Sequence, residues 1–66
     1  MKITRRNYAI ITKDRPTEFL THSAGLSDVF DDAIRFDILE DAEDELRRLD
    51  EPDKFTIVPV TISVEV

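Results

Sequence analysis

The chain has 66 residues, fifteen acidic and nine basic, a net charge of −6 and no cysteine. So short a chain predicts one domain over 1–66, marginal in stability because it buries only about 60% of the surface its unfolded form exposes, and with no cysteine no disulfide can reinforce it. The acidity argues against direct binding to nucleic acid or to an anionic membrane, and for a basic partner or simple solubility.

A hydrophobic content of 41% suffices for one core and is too high for a disordered chain. No apolar run approaches the roughly 20 residues that span a bilayer. The start, MKITRRNYAIITKDR, is basic but carries a five-residue apolar patch, too short for a signal peptide. The absence of cysteine fits a reducing compartment, so the cytoplasm is the expected location.

Residues 1–6 lead into a first strand at Tyr8–Thr12, whose β-branched and aromatic residues suit a pleated, half-buried surface. Lys13–Pro16 reads as a turn. Thr17–Thr21 then closes a hairpin, with Ile10 or Ile11 and Phe19 or Leu20 facing inward. His22–Leu26 is expected as a loop, and its glycine, Gly25, as a residue of positive φ. Ser27 or Asp28 is placed to cap a short helix through about Ala33, with Val29, Ala33 and Phe36 at helical spacing.

Asp37-Ile38-Leu39-Glu40 has the form of a capping box. After it, Leu39, Ala42, Leu46 and Leu49, with Ile38 alongside, form an apolar helical stripe. Glu43–Arg47 and Asp44–Arg48 are expected as i,i+4 pairs, worth roughly 0.2–0.5 kcal/mol each. Asp50–Asp53, with Pro52, stops this second helix. From Phe55 to Val66 residues alternate as a strand, apolar on both faces to Ile57 and on one face beyond Pro59. Pro59 marks a bulge, an edge or a break. The order is β-β-α-α-β, and the expected fold class is α+β: a three-stranded antiparallel sheet with two helices on one face.

No catalytic constellation accompanies these elements. His22 is the one histidine, and in a loop it reads as a solvated residue rather than a general base. Zinc ligands are missing. Asp28, Asp31 and Asp32 lack the spacing, the glycine and the closing glutamate of a calcium loop. The expectation is therefore no enzyme, no metal and no cofactor.

Charge is concentrated in Ser27–Asp53, which holds twelve acids and three arginines, a net of −9. A solvated helix face is the plainest account. Yet the segregation of one sign is what steering toward a basic partner uses. Carboxylates one helical turn apart also lie roughly 5–6 Å from each other, near the spacing of successive phosphates. Asp28, Asp31, Asp32, Asp37, Glu40, Asp41 and Asp44 are the candidate partner-binding residues, gathered at the junction between the two helices, with Asp44 at its margin.

The run YAIIT…EFLT…SDVFDDAIRFDILEDAEDELRRL resembles a type of small acidic phage and prophage protein. Tyr8, Phe19, Leu20, Thr21, Asp32–Ala33, Phe36, Glu40, Ala42 and Leu46 carry the resemblance; Val29 or Phe30 stands where a tryptophan is expected. The resemblance implies an inhibitor of the anti-CRISPR or anti-restriction kind, including nucleic-acid mimics. Its partner would be the basic surface of a nucleic-acid-binding host protein, such as a CRISPR effector subunit. An alternative is a small acidic interaction module that dimerises through an edge strand such as Val60–Val66, its acidity serving solubility; the chain would be a monomer or a weak homodimer. A third reading is halophilic adaptation, toward which six Arg against three Lys and nine Asp against six Glu lean slightly, while an apolar fraction that is not unusually low leans against it.

Overall fold

The computed structural model describes residues 1–23 and 25–66; Ala24, within the expected loop, lies outside them. The strands are β1 (Lys2–Thr12), β2 (Phe19–Leu20), β3 (Leu26–Ser27) and β4 (Phe55–Glu65), and the α-helix is α1 (Leu39–Arg48). They form one antiparallel sheet in the order β3-β2-β1-β4. The expected three strands and two helices are thus corrected to four strands and, among the described residues, one α-helix.

Both departures come from backbone pairing with β1 and β2. Leu26–Ser27 pairs back onto Phe19–Leu20, so the expected loop ends in a strand. Thr21 holds the turn: its N–H and its hydroxyl donate to the Gly25 carbonyl at 3.0 and 3.2 Å. Gly25 itself has no positive φ, contrary to expectation.

The expected first helix shrinks to one 3-10 turn, Phe30–Asp32. Its continuation is captured by the sheet instead. Thr21 bridges Ala33 and Tyr8 bridges Phe36. Tyr8 and Phe36 exchange both backbone hydrogen bonds at 2.8 and 2.9 Å, and the Ile34 N–H donates to the Leu20 carbonyl. Two β-branched residues, Val29 and Ile34, weaken the helical alternative.

β1 and β4 pair in register from Lys2–Glu65 to Thr12–Phe55. Met1 and Val66 exchange both backbone bonds. Bonded pairs alternate with non-bonded ones along an antiparallel ladder, so Ile3–Val64, Arg5–Ile62, Asn7–Val60 and Ala9–Val58 are bonded pairs. Tyr8–Pro59 falls between them, as the Tyr8 bonds to Phe36 on the other side require. Pro59 therefore lacks its N–H on the outer edge of β4, where the ladder loses nothing. Of the three roles open to it, it has the edge role.

The buried apolar residues are Ala9, Ile10, Leu20, Ala33 and Ala42. α1 packs against β1 and β4, meeting them through Ala42 and the half-buried Leu46 and Leu49. Leu39 and Ile38, expected in that stripe, are exposed. With three alanines among the five buried apolar residues described, the core is small. The β1–β4 ribbon is long by comparison, and the molecule measures 41 by 24 by 19 Å.

Candidate partner-binding face

All seven candidate acids are exposed, but two kinds of backbone carry them. Asp31 and Asp32 lie in the 3-10 turn, with Asp28 just before it. The Ser27 hydroxyl accepts from the Val29 N–H at 3.1 Å and donates to the Asp32 carboxylate at 2.9 Å, pinning this turn. The expected helical row through Asp31 and Asp32 is therefore absent, because a 3-10 turn of three residues cannot continue one.

The same segment carries a cation to which the sequence assigns no role. The Arg35 guanidinium stacks 4.9 Å over the Phe30 ring, which meets Phe19 edge-on at 5.5 Å. Arg35 also donates to the Asp31 carbonyl at 3.4 Å. Its charge thus sits within the first acid group and offsets part of it. The four-residue spacing from Asp31 to Arg35 is the one sequence signal that points to it.

Asp37 does not cap α1 as expected. Its carboxylate instead accepts from the Asn7 side-chain amide at 3.1 Å. Asn7 lies on the buried middle of β1 and must satisfy its amide there. The helix consequently begins one residue later, with Ile38 at the N-cap and no side-chain cap.

Glu40 and Asp41 occupy the first turn of α1 and Asp44 the next. These three the fold does bring together, since residues three and four apart are neighbours on a helix. The basic partners of α1 lie at its far end. Arg47 pairs with Asp44 and Arg48 with Glu45, at 3.8 Å for the latter, and Lys54 pairs with Glu51 at 3.3 Å. All three are i,i+3 pairs, so the expected i,i+4 pairs from Glu43 and Asp44 are replaced by tighter steps. Glu40 and Asp41 have no cation partner among the described residues.

An open groove between α1 and β4 is lined by Glu43, Leu46, Phe55 and Ile57. No cluster of three metal-ligating side chains occurs among the described residues, and no described helix is long and apolar enough to cross a membrane. His22 is exposed in a turn. No protein-family description, curated protein or solved structure matches the chain.

Proposed function

We propose that this protein is a non-enzymatic binding protein that presents the carboxylates of α1 to a basic nucleic-acid site on a host defence protein, in the manner of an anti-CRISPR or anti-restriction inhibitor. The observation that carries the reading is the exposed group Glu40, Asp41 and Asp44 on successive turns of α1, two of them without an intramolecular cation among the described residues. Lysines and arginines placed for phosphates would pair with these carboxylates. Asp28, Asp31, Asp32 and Asp37 flank the group and add to the field that attracts a basic partner.

The test must separate this role from helix stabilisation, because first-turn acids also offset the helix dipole at the uncapped start of α1. Reversal to lysine would disturb both, so neutral, nearly isosteric changes are preferable. The chain is used to capture proteins from a host lysate, with duplex DNA and high salt as eluents. A captured nucleic-acid-binding protein should be released by both. The triple variant Glu40→Gln, Asp41→Asn, Asp44→Asn should bind it at least about tenfold more weakly. Undiminished binding and inhibition by a folded triple variant would sink the reading.

A further inference from the structure

The end of the β1–β4 ribbon carries an apolar patch, half-buried at Val60 and Ile62 and exposed from there to the tip. Antiparallel partners share a face, so Met1, Ile3, Val60, Ile62, Val64 and Val66 lie together on one side of the ribbon, with Arg5 opposite Ile62 and Asn7 opposite Val60 on the same side. Lys2, Thr4, Arg6, Thr61, Ser63 and Glu65 lie on the other. Met1 is 84% exposed and Val66 63%, and Ile3 and Val64 are exposed as well. β4 is also a sheet edge. Its outward backbone groups belong to Thr61, Ser63 and Glu65, the residues whose N–H and C=O the β1 ladder does not use.

We propose that this edge binds a second copy of the chain, β4 against β4, about a two-fold axis at Ser63. The pairing is independent of the acidic face. Its register follows from the ladder. Centred on Ser63, residues 60–66 of one copy run against 66–60 of the other. Thr61 faces Glu65, Ser63 faces Ser63, and each of these pairs exchanges two hydrogen bonds, about six in all. Val60 then meets Val66 and Ile62 meets Val64 on the apolar face, the close non-bonded positions where β-branched pairs add most. Centring on Ile62 would set Pro59 against Glu65 and forfeit the donor that proline lacks.

Charge selects the same edge. From Phe55 to Val66 the chain carries one charged side chain, Glu65, which faces a threonine in this register. β3, the terminal strand at the other side of the sheet, has two residues, too few for such a ladder, and the uncovered side of β1 at Lys2–Arg6 would set Lys2 opposite Arg6 if paired with itself about Thr4, a like-charge contact that destabilises. Seven residues a strand is fewer than the roughly 20–30 residues a side of a standard interface, so the dimer is weak and forms in the micromolar range.

Sedimentation equilibrium of the full chain over micromolar concentrations should show the mass rising from 7.6 kDa toward twice that value. Ser63→Pro removes the N–H at the axis, and Pro59 shows that the same strand accepts proline at an outward position. That variant should stay at 7.6 kDa. Thr4→Pro, the equivalent outward position on the β1 edge, should dimerise as the parent does. Should Ser63→Pro lose its strand signal in circular dichroism, Ser63→Asp replaces it, setting two carboxylates face to face. A parent chain that stays monomeric throughout, or a folded Ser63→Pro or Ser63→Asp variant that dimerises as the parent does, overturns the proposal.

Discussion

Asp37 shows how one side chain can be drawn away from the role its sequence context suggests. Followed by Glu40 three residues on, it has the form of a helix cap, yet its carboxylate serves Asn7 across 30 residues. The reason is an asymmetry of burial. Asn7 is 9% exposed, and a buried amide without an acceptor costs about 1–3 kcal/mol, whereas water can satisfy an exposed carboxylate. Two substitutions that break the same bond should therefore differ. Asp37→Ala strands the Asn7 amide and should lower stability by about 1–3 kcal/mol in urea unfolding. Asn7→Val removes the buried donor as well and should cost less, about 1 kcal/mol or below. Equal losses would mean that Asn7 finds another acceptor. The bond itself is not legible in the sequence, because nothing local links positions 7 and 37. Gly25 is not held to its expected conformation either: its φ is not left-handed and an added Cβ would meet nothing nearer than 3.6 Å, so neither backbone nor space requires a glycine there.

Elements with a strong period are legible in the sequence, and those decided by distant pairing are not. Leu39, Ala42, Leu46 and Leu49 announce α1, and the alternation from Phe55 announces β4; β4 starts where the pattern puts it, while α1 starts one residue later than the expected cap would set it, with Leu39 exposed and Leu49 at its C-cap. The 3-10 turn at Phe30–Asp32 reads as a helix because Val29, Ala33 and Phe36 have helical spacing by coincidence. The true partners of Ala33 and Phe36 are in or beside strands: Ala33 bridges Thr21 and Phe36 bridges Tyr8. Contacts between residues far apart in sequence leave no local periodicity to read. The start of α1 suggests a direct improvement. Ile38 holds the N-cap in extended conformation, is exposed, and offers no acceptor to the first turn. Ile38→Asp supplies one, and should raise stability by about 1 kcal/mol with an increase in helical circular dichroism. No gain would imply that Glu40 and Asp41 already satisfy the free N–H groups of that turn, which would strengthen the structural account of their charge at the expense of the partner-binding one.

For the molecule as a whole, the acidic segment and the exposed apolar patch are kept apart. The acids cluster in 28–53, while the uncovered apolar face belongs to a ribbon end whose charges are Lys2, Arg5, Arg6 and Glu65. The acidic segment is legible as composition; which acids stand together is not, since that depends on a helix that forms and a helix that does not. This separation has a consequence in salt. The three ion pairs are largely exposed and i,i+3, so each contributes at most about 1 kcal/mol, and screening removes little when it weakens them. Against them stand Asp28, Glu40, Asp41 and Glu43, exposed and without a cation partner among the described residues. In a chain of net −6, the mutual repulsion of these acids outweighs the attraction within the pairs. Raising ionic strength from low salt to about 0.5 M shortens the screening length to a few ångströms, and should therefore shift the urea midpoint upward. The variant Glu40→Gln, Asp41→Asn, which removes two of the repelling charges, should start with a higher midpoint in low salt and respond less to added salt. A midpoint that falls as salt rises would show instead that the short-range pairs with Arg47, Arg48 and Lys54 outweigh the repulsion. The acidic face would then be internally neutralised, with little charge left to offer a basic partner.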